Sequence, residues 1–183
     1  LELARLESGN LKVENSRIEL NTFLRLMVEY FETQAKQKQL RLSLEVPEIP
    51  YVVSVDKGKI ETILINLIGN ALKFTPVNGR VVIKSYLEMG EDSNASLSIV
   101  IRDFGIGIPL DKQELIFERF YQVNESHKEI GTGIGLALVK ELVQLLQGTI
   151  TVSSKPGEGS EFRVKIPAVI LGVDLNPHAL EKD

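Results

Sequence analysis

The amino-acid sequence predicts an α+β chain folded as a two-layer sandwich, with one mixed sheet and helices on one of its faces. Two observations lead there. Three segments, near 21–39, 60–73 and 134–147, read as helices, the clearest of them from apolar residues at helical spacing. The strand-like segments come in pairs, near 40–46 and 51–55, 80–88 and 96–103, and 149–154 and 161–166.

Residues 1–8 read as the last turns of a helix, and Gly9-Asn10 supplies a stop. Residues 11–19 read as a linker entering a strand. In the next helix Leu24, Met27, Val28, Phe31 and Ala35 mark the buried face, with Asn21 or Thr22 as the cap. Residues 40–46 alternate as a strand, Pro47 and Pro50 punctuate, and Tyr51–Val55 forms a second strand. Asp56 is placed to cap the helix that follows. There Ile60, Ile63, Leu64, Leu67, Ile68, Ala71 and Leu72 run at i, i+3, i+4, i+7, i+8, i+11 and i+12, the strongest periodicity in the chain. Pro76 and Asn78-Gly79 end it. Strands near 80–88 and 96–103 flank a hairpin loop at 91–94. Residues 111–118 read as a short helix, and 119–133, polar and bounded by glycines, as a mobile loop. The helix at 134–147 leads through Gly148 into the last strand pair, which turns at Pro156-Gly157-Glu158-Gly159. Residues 168–183 carry only a short apolar run and read as a tail.

With 183 residues, 43% hydrophobic and 25% charged, the chain is suited to one sizeable domain with appendages. A formal net charge of -4 gives no electrostatic case for nucleic acid or an anionic membrane as partner. There is no cysteine, which excludes disulfides, thiolate metal sites and cysteine nucleophiles. His127 and His178 lie far apart and form no metal-ligand pattern. No apolar run approaches the ~20 residues that span a bilayer. The chain starts with Leu1 rather than Met and reads as a fragment of a longer protein.

Three segments carry chemistry. In Asn66-Leu-Ile-Gly-Asn70-Ala-Leu-Lys73-Phe74, the two asparagines and the lysine fall on one narrow stripe, well over a right angle from the apolar face. Mg²⁺ wants oxygen ligands and keeps waters, so one Asn carbonyl plus phosphate oxygens suffice, and Lys73 neutralises phosphate charge. A solvated helix face fits the same residues. Asp103 ends a strand and begins Asp103-Phe-Gly105-Ile-Gly107-Ile108. A carboxylate there accepts a hydrogen bond from an adenine amino group and leaves a guanine carbonyl unpaired. A turn aspartate beside flexible glycines fits as well. Gly131-Thr132-Gly133-Ile-Gly135-Leu136 precedes a helix, whose first amides attract phosphate. It is not the dinucleotide fingerprint, because Leu136 stands where that pattern needs its third glycine. An ordinary helix-start loop remains open.

In order and spacing these segments resemble the catalytic, ATP-binding domain of bacterial sensor histidine kinases, within the gyrase–chaperone–MutL ATPase superfamily. Residues 66–76 resemble its N box, 103–107 its first glycine box, 116–121 its F box and 131–136 its second glycine box. Residues 155–162 resemble its closing hairpin. The resemblance covers roughly residues 19–167 and implies a Bergerat-type fold with an ATP lid. It implies ATP and Mg²⁺ as ligands. Asn66 and Asn70 take the N-box positions, Asn70 as the metal ligand and Lys73 on phosphate. Phe74 packs on adenine, and Asp103 reads its amino group. Gly105, Gly107 and Ile108 form the pocket wall. Phe117, Arg119 and Phe120 anchor or arm the lid, with Arg119 reaching the phosphates. Gly131, Gly133 and Gly135 hinge the lid over the triphosphate, Thr132 and Leu136 beside them also bind the nucleotide, and Ser160 approaches adenine through water. For Phe117 and Phe120, plain core packing is the alternative.

The resemblance divides the chain into 1–18, the end of a dimerisation and phosphotransfer helix with its linker, 19–167, the catalytic domain, and 168–183, a tail. It implies a kinase domain that transfers the ATP γ-phosphoryl to a histidine outside this chain, then to a response regulator's aspartate. The expected partners are ATP, the dimerisation domain of the same kinase and a receiver domain, with no nucleic acid and no membrane contact by this fragment. The expected setting is the cytoplasmic part of a membrane-anchored sensor. The alternative is a switch-type ATPase of the same superfamily. Such proteins carry a glutamate at position 66 as general base, and an asparagine cannot take a proton.

Overall fold

The computed structural model describes residues 11–123 and 131–175, so the helix end and stop expected at 1–10 lie outside the described residues. Seven strands form one sheet: β1 (Ser16–Glu19), β2 (Arg41–Glu45), β3 (Tyr51–Val55), β4 (Arg80–Met89), β5 (Asn94–Asp103), β6 (Thr149–Lys155) and β7 (Gly159–Val173). The order is β1-β3-β7-β5-β4-β2, with β6 also on β7. β2 and β4 are parallel and the other pairs antiparallel, so the sheet is mixed as expected. The helices are α1 (Leu20–Gln37), α2 (Lys57–Phe74) and α3 (Gly135–Leu145).

Strand alternation selects the residues that face the helices. Register aligns Ile83, Ile101 and Phe162 across β4, β5 and β7. All three belong to one core with Leu24 and Phe31 of α1, Leu64, Leu67 and Leu72 of α2, and Val139 and Leu142 of α3. The seven apolar residues read from the α2 periodicity are all buried. Each isoleucine or leucine among them contributes roughly 1.5–3 kcal/mol relative to exposure.

Helix ends follow local chemistry. The cap of α1 is Glu19 rather than Asn21 or Thr22. Its carboxylate accepts the amides of Asn21 and Thr22 at 2.9 and 2.8 Å. Glu19 ends β1 in extended backbone, and its longer side chain reaches the first turn, while Asn21 Nδ2 donates to Pro47 O at 2.8 Å. Asp56 caps α2 as expected, its Oδ1 accepting Lys59 N–H at 3.0 Å. Its Oδ2 accepts Glu14 N–H at 2.7 Å and Lys59 Nζ at 2.6 Å, and the same Nζ donates to Lys12 O at 2.6 Å. The chain entering β1 is thereby tied to the first turn of α2. At the other end, Lys38 Nζ donates to Leu72 O and Lys73 O, each at 2.9 Å, satisfying carbonyls that helix geometry leaves open.

Two expectations are corrected. The short helix expected over 111–118 is instead two 3₁₀ turns, Leu110–Lys112 and Leu115–Phe117. The strand expected to end at 166 runs on to Val173, so residues 168–173 are sheet and not tail. Val169 to Val173 pair with β3, which gives this apolar run its partner. β1 likewise begins at Ser16, ahead of residue 19.

Burial pushes the Asp56 carboxyl upward. The Lys59 hydrogen bond, the amides of Glu14 and Lys59 and the Lys59 charge outweigh it, so it sits below the usual carboxylate range. Folding thus favours the charged form. That stability is complete above the unfolded-state value and is lost as pH falls through the folded one. Asp56→Ala should lower stability at neutral pH by roughly 1–2 kcal/mol, because it removes the cap of α2 and the carboxylate partner of Lys59, whose ammonium keeps the Lys12 carbonyl. Urea unfolding across pH checks this, and an unchanged midpoint at neutral pH would refute it.

Candidate functional site

With its apolar stripe held in the core, α2 presents Asn66, Asn70 and Lys73 half-buried along one edge of the helix layer. Asn66 Nδ2 donates back to Thr62 O at 2.8 Å, leaving Oδ1 as an outward acceptor. The second glycine segment comes down on this stripe. A Cβ on Gly135 would stand 2.6 Å from Asn66 Oδ1, so any larger residue there would push the Asn66 amide aside. Gly131 lies beside Lys73, where a Cβ would be 3.0 Å from Nζ. Lys73 Nζ is 5.1 Å from the centre of the half-exposed Phe74 ring. α3 starts at Gly135 with no side-chain cap, so its first amides are open to an outside acceptor. Leu136 packs on the core and Thr132 is exposed.

Asp103 stands at the other end of the site. Register sets it opposite Ser160 of β7, and Ser160 opposite Ser154 of β6. Its side chain is buried, and Oδ1 accepts the amides of Gly105 and Ser160 at 2.9 and 3.2 Å. Burial pushes this carboxyl up; the two amides and the Arg102 charge pull it down, and burial prevails. Gly105 sits against Phe74 O, which brings the first glycine loop onto the end of α2. Gly107 has φ +70°, and a Cβ there would be 2.0 Å from Lys155 O, so the loop closes on the β6–β7 turn. Ile108 N–H donates to Ser154 Oγ at 2.7 Å. Ser154 was not singled out in the sequence. Nor was Gln113, whose Nε2 donates to Ile108 O at 3.0 Å and to Ser154 O at 2.8 Å. Nothing local marks either residue, since a serine in an alternating strand and a glutamine in a polar turn are ordinary.

The F-box residues divide. Phe117 packs edge-on against Phe162, with centroids 6.3 Å apart, and joins the core. Phe120 is 73% exposed, and its N–H donates to Gly133 O at 2.8 Å. Arg119 pairs with Glu141 of α3 at 2.6 Å. Gln122 donates to Gly131 O, joining the described parts on either side of residues 124–130. Those residues, the middle of the expected lid with His127, lie outside the described residues, as does His178.

The donor set fits a magnesium–nucleotide complex: amide oxygens on α2, an ammonium, open helix amides, and a buried carboxylate at the far end. Among the described residues no cluster of three His, Cys, Asp or Glu could hold a metal alone. A magnesium ion here would therefore share its ligands with phosphate and water.

The family model for histidine kinase-, DNA gyrase B- and HSP90-like ATPases matches residues 55–170. The chain belongs to that family. Within it, the chain is a catalytic domain of the sensor histidine kinase type, and ATP with Mg²⁺ is the ligand set characteristic of the family's ATPase domains. The sensor histidine kinase TmoS of Ectopseudomonas mendocina is 39% identical over 170 residues, which are 91% of this chain and 17% of that protein. The aerobic respiration control sensor protein ArcB of Escherichia coli is 36% identical over 180 residues, 95% of this chain and 22% of that protein. The chain thus spans under a quarter of the length of these relatives. Full-length ShkA in complex with AMPPNP superposes with a TM-score of 0.76 at 27% identity, covering 93% of this chain and 34% of that one. The catalytic domain of histidine kinase ThkA gives 0.69 at 26% identity, covering 84% and 95%. No helix among the described residues is long and apolar enough to cross a membrane.

If the Asp103 carboxylate accepts from the adenine amino group, ADP affinity should fall as pH drops through a value above the usual aspartate range. Protonation removes the acceptor, and burial raises the pH at which this happens. Calorimetry of the wild type and Asp103→Asn should show that slope in the first and not in the second. An identical slope in both would separate it from Asp103.

Proposed function

We propose that this domain binds Mg-ATP between α2, the two glycine loops and the start of α3, and donates the γ-phosphoryl to a histidine outside this chain. The bond from the β–γ bridging oxygen to phosphorus breaks as a bond to the imidazole nitrogen forms. The phosphoryl then passes to an aspartate of a response regulator. The observation that carries this reading is Asn66. Its Oδ1 lies against Gly135 of the second glycine loop, where a water-activating ATPase would need a base. Catalysis then rests on positioning and charge neutralisation.

In this reading Asn70 supplies an oxygen to the metal, and Lys73 and the open amides of α3 hold phosphate. Phe74, Gly105, Gly107 and Ile108 enclose the adenine, Asp103 reads it, and Ser160 approaches it through water. Arg119 reaches the phosphates by exchanging its Glu141 partner. Gly131, Thr132, Gly133, Gly135 and Leu136 let the loop meet the triphosphate, with Phe120 riding on Gly133. The partners are the dimerisation and phosphotransfer domain of the same kinase and a receiver domain. The residues ahead of β1 would join the domain to the first of these. The domain would work on the cytoplasmic side of a membrane-anchored sensor, without contacting membrane or nucleic acid itself.

Incubated alone with γ-labelled ATP, the chain should stay unlabelled. Mixed with a dimerisation domain that carries the acceptor histidine, it should label that domain slowly, because the tether that sets effective concentration is cut. Robust hydrolysis with no transfer to any histidine partner would favour the switch-type ATPase instead.

A carboxylate in place of the Asn66 amide supplies the missing base. Asn66→Glu should therefore raise ATP hydrolysis, by about 10²-fold if the group is well placed. Phosphate release measured beside ADP affinity checks this. No rise in a variant that still binds ADP would show that position 66 does not face the attacking water.

A further inference from the structure

Three parts of the chain meet on one hydroxyl at the adenine end of the site. Ser154 Oγ accepts Ile108 N–H at 2.7 Å and donates to Gly159 O at 2.8 Å. Ser160 Oγ lies 2.9 Å from it. A serine hydroxyl has one proton and two lone pairs. The Ile108 amide is a donor and the Gly159 carbonyl an acceptor, so the Ser154 proton is committed to the carbonyl. The proton between the two hydroxyls must then come from Ser160. With its proton turned toward Ser154, Ser160 Oγ is left as an acceptor.

Ser160 is buried beside the carboxylate it pairs with in register, and its amide is already on Asp103 Oδ1. Both amides that Asp103 accepts go to Oδ1, and among the described residues no donor stands on Oδ2. The adenine end therefore offers two neighbouring acceptors with no protein proton between them. Gln113 braces the arrangement through its bonds to Ser154 O and Ile108 O.

We propose that Ser154 is a positioning residue that holds the Ser160 hydroxyl as an acceptor beside Asp103, so that the pocket selects a purine with an amino group at the six-position. This rests on the nucleotide-binding reading above, with the one change that the Ser160 hydroxyl meets the base directly and not through water. A base with a carbonyl there, such as hypoxanthine, meets two acceptors and no donor. Without Ser154 the Ser160 hydroxyl can rotate and donate to that carbonyl, and selectivity weakens.

The test is calorimetry of the whole chain with ADP and inosine diphosphate. Ser154→Ala should weaken ADP about tenfold and inosine diphosphate less than about threefold, so that discrimination shrinks. Ser154→Thr keeps the hydroxyl and should restore discrimination. Ser160→Ala should shrink it too, leaving the part that Asp103 supplies, and adding Ser154→Ala to that variant should change it little further. Equal weakening of both nucleotides by Ser154→Ala would reduce Ser154 to a loop brace and overturn the proposal. Wild-type discrimination in Ser160→Ala would overturn it even if Ser154→Ala did not fold. A wild type that binds neither nucleotide would remove the nucleotide reading itself, whereas ADP binding with an indifferent Ser154 would remove only this inference.

Discussion

The rotational setting of α2 governs the site. Ile60, Ile63, Leu64, Leu67, Ile68, Ala71 and Leu72 are all buried, so turning the helix about its axis would expose leucines and bury amides. At about 100° per residue, that setting also decides where Asn66, Asn70 and Lys73 point. Their direction is thus a by-product of core packing. The caps make it rigid: Asp56 holds the first turn and Lys38 the last carbonyls. A phosphate-binding face needs this, because its value lies in groups already placed before the ligand arrives.

The two ends of the site are made differently. At the end formed by α2, helix side chains meet a glycine loop, and a Cβ at Gly135 would press on the Asn66 amide. At the Asp103 end, the ends of β5 and β6 and the start of β7 lie in register, and the Ser154 side chain holds the loop that follows β5. A carboxylate buried there is expensive, and the Gly105 and Ser160 amides offset part of that expense. The F box bridges the two ends: Phe117 packs on Phe162 of β7, and Arg119 pairs with Glu141 of α3.

What could be read beforehand follows from the range of each signal. Helical periodicity repeats many times within one segment, so the α2 face and the Asn66, Asn70 and Lys73 stripe were visible in the chain. The strand at 51–55 and the hairpin of β6 and β7 were visible from local composition and turn residues. The cap of α1 was not, because Glu19 acts through side-chain length against a strand end rather than through the usual short cap residues. Ser154 and Gln113 were missed because their partners are distant: Ile108 is 46 residues from Ser154 in sequence. Residues 168–173 looked like a tail because a strand that matches a distant partner needs no alternation of its own.

That long last strand has a consequence for how the molecule comes into being. β7 carries β5 along one edge, and β6 then β3 along the other, and β1 reaches the rest of the sheet only through β3. The strand at the centre is therefore the last to be synthesised. While the ribosome is still making it, β4 and β5 can pair, but β3 has no neighbour except β1 and β6 has none. Completing the sheet means joining Val53 to Ile170 across most of the chain, the kind of closure that slows folding. The nascent domain must wait for its final strand, and until then its apolar strand edges are open to whatever else is nearby.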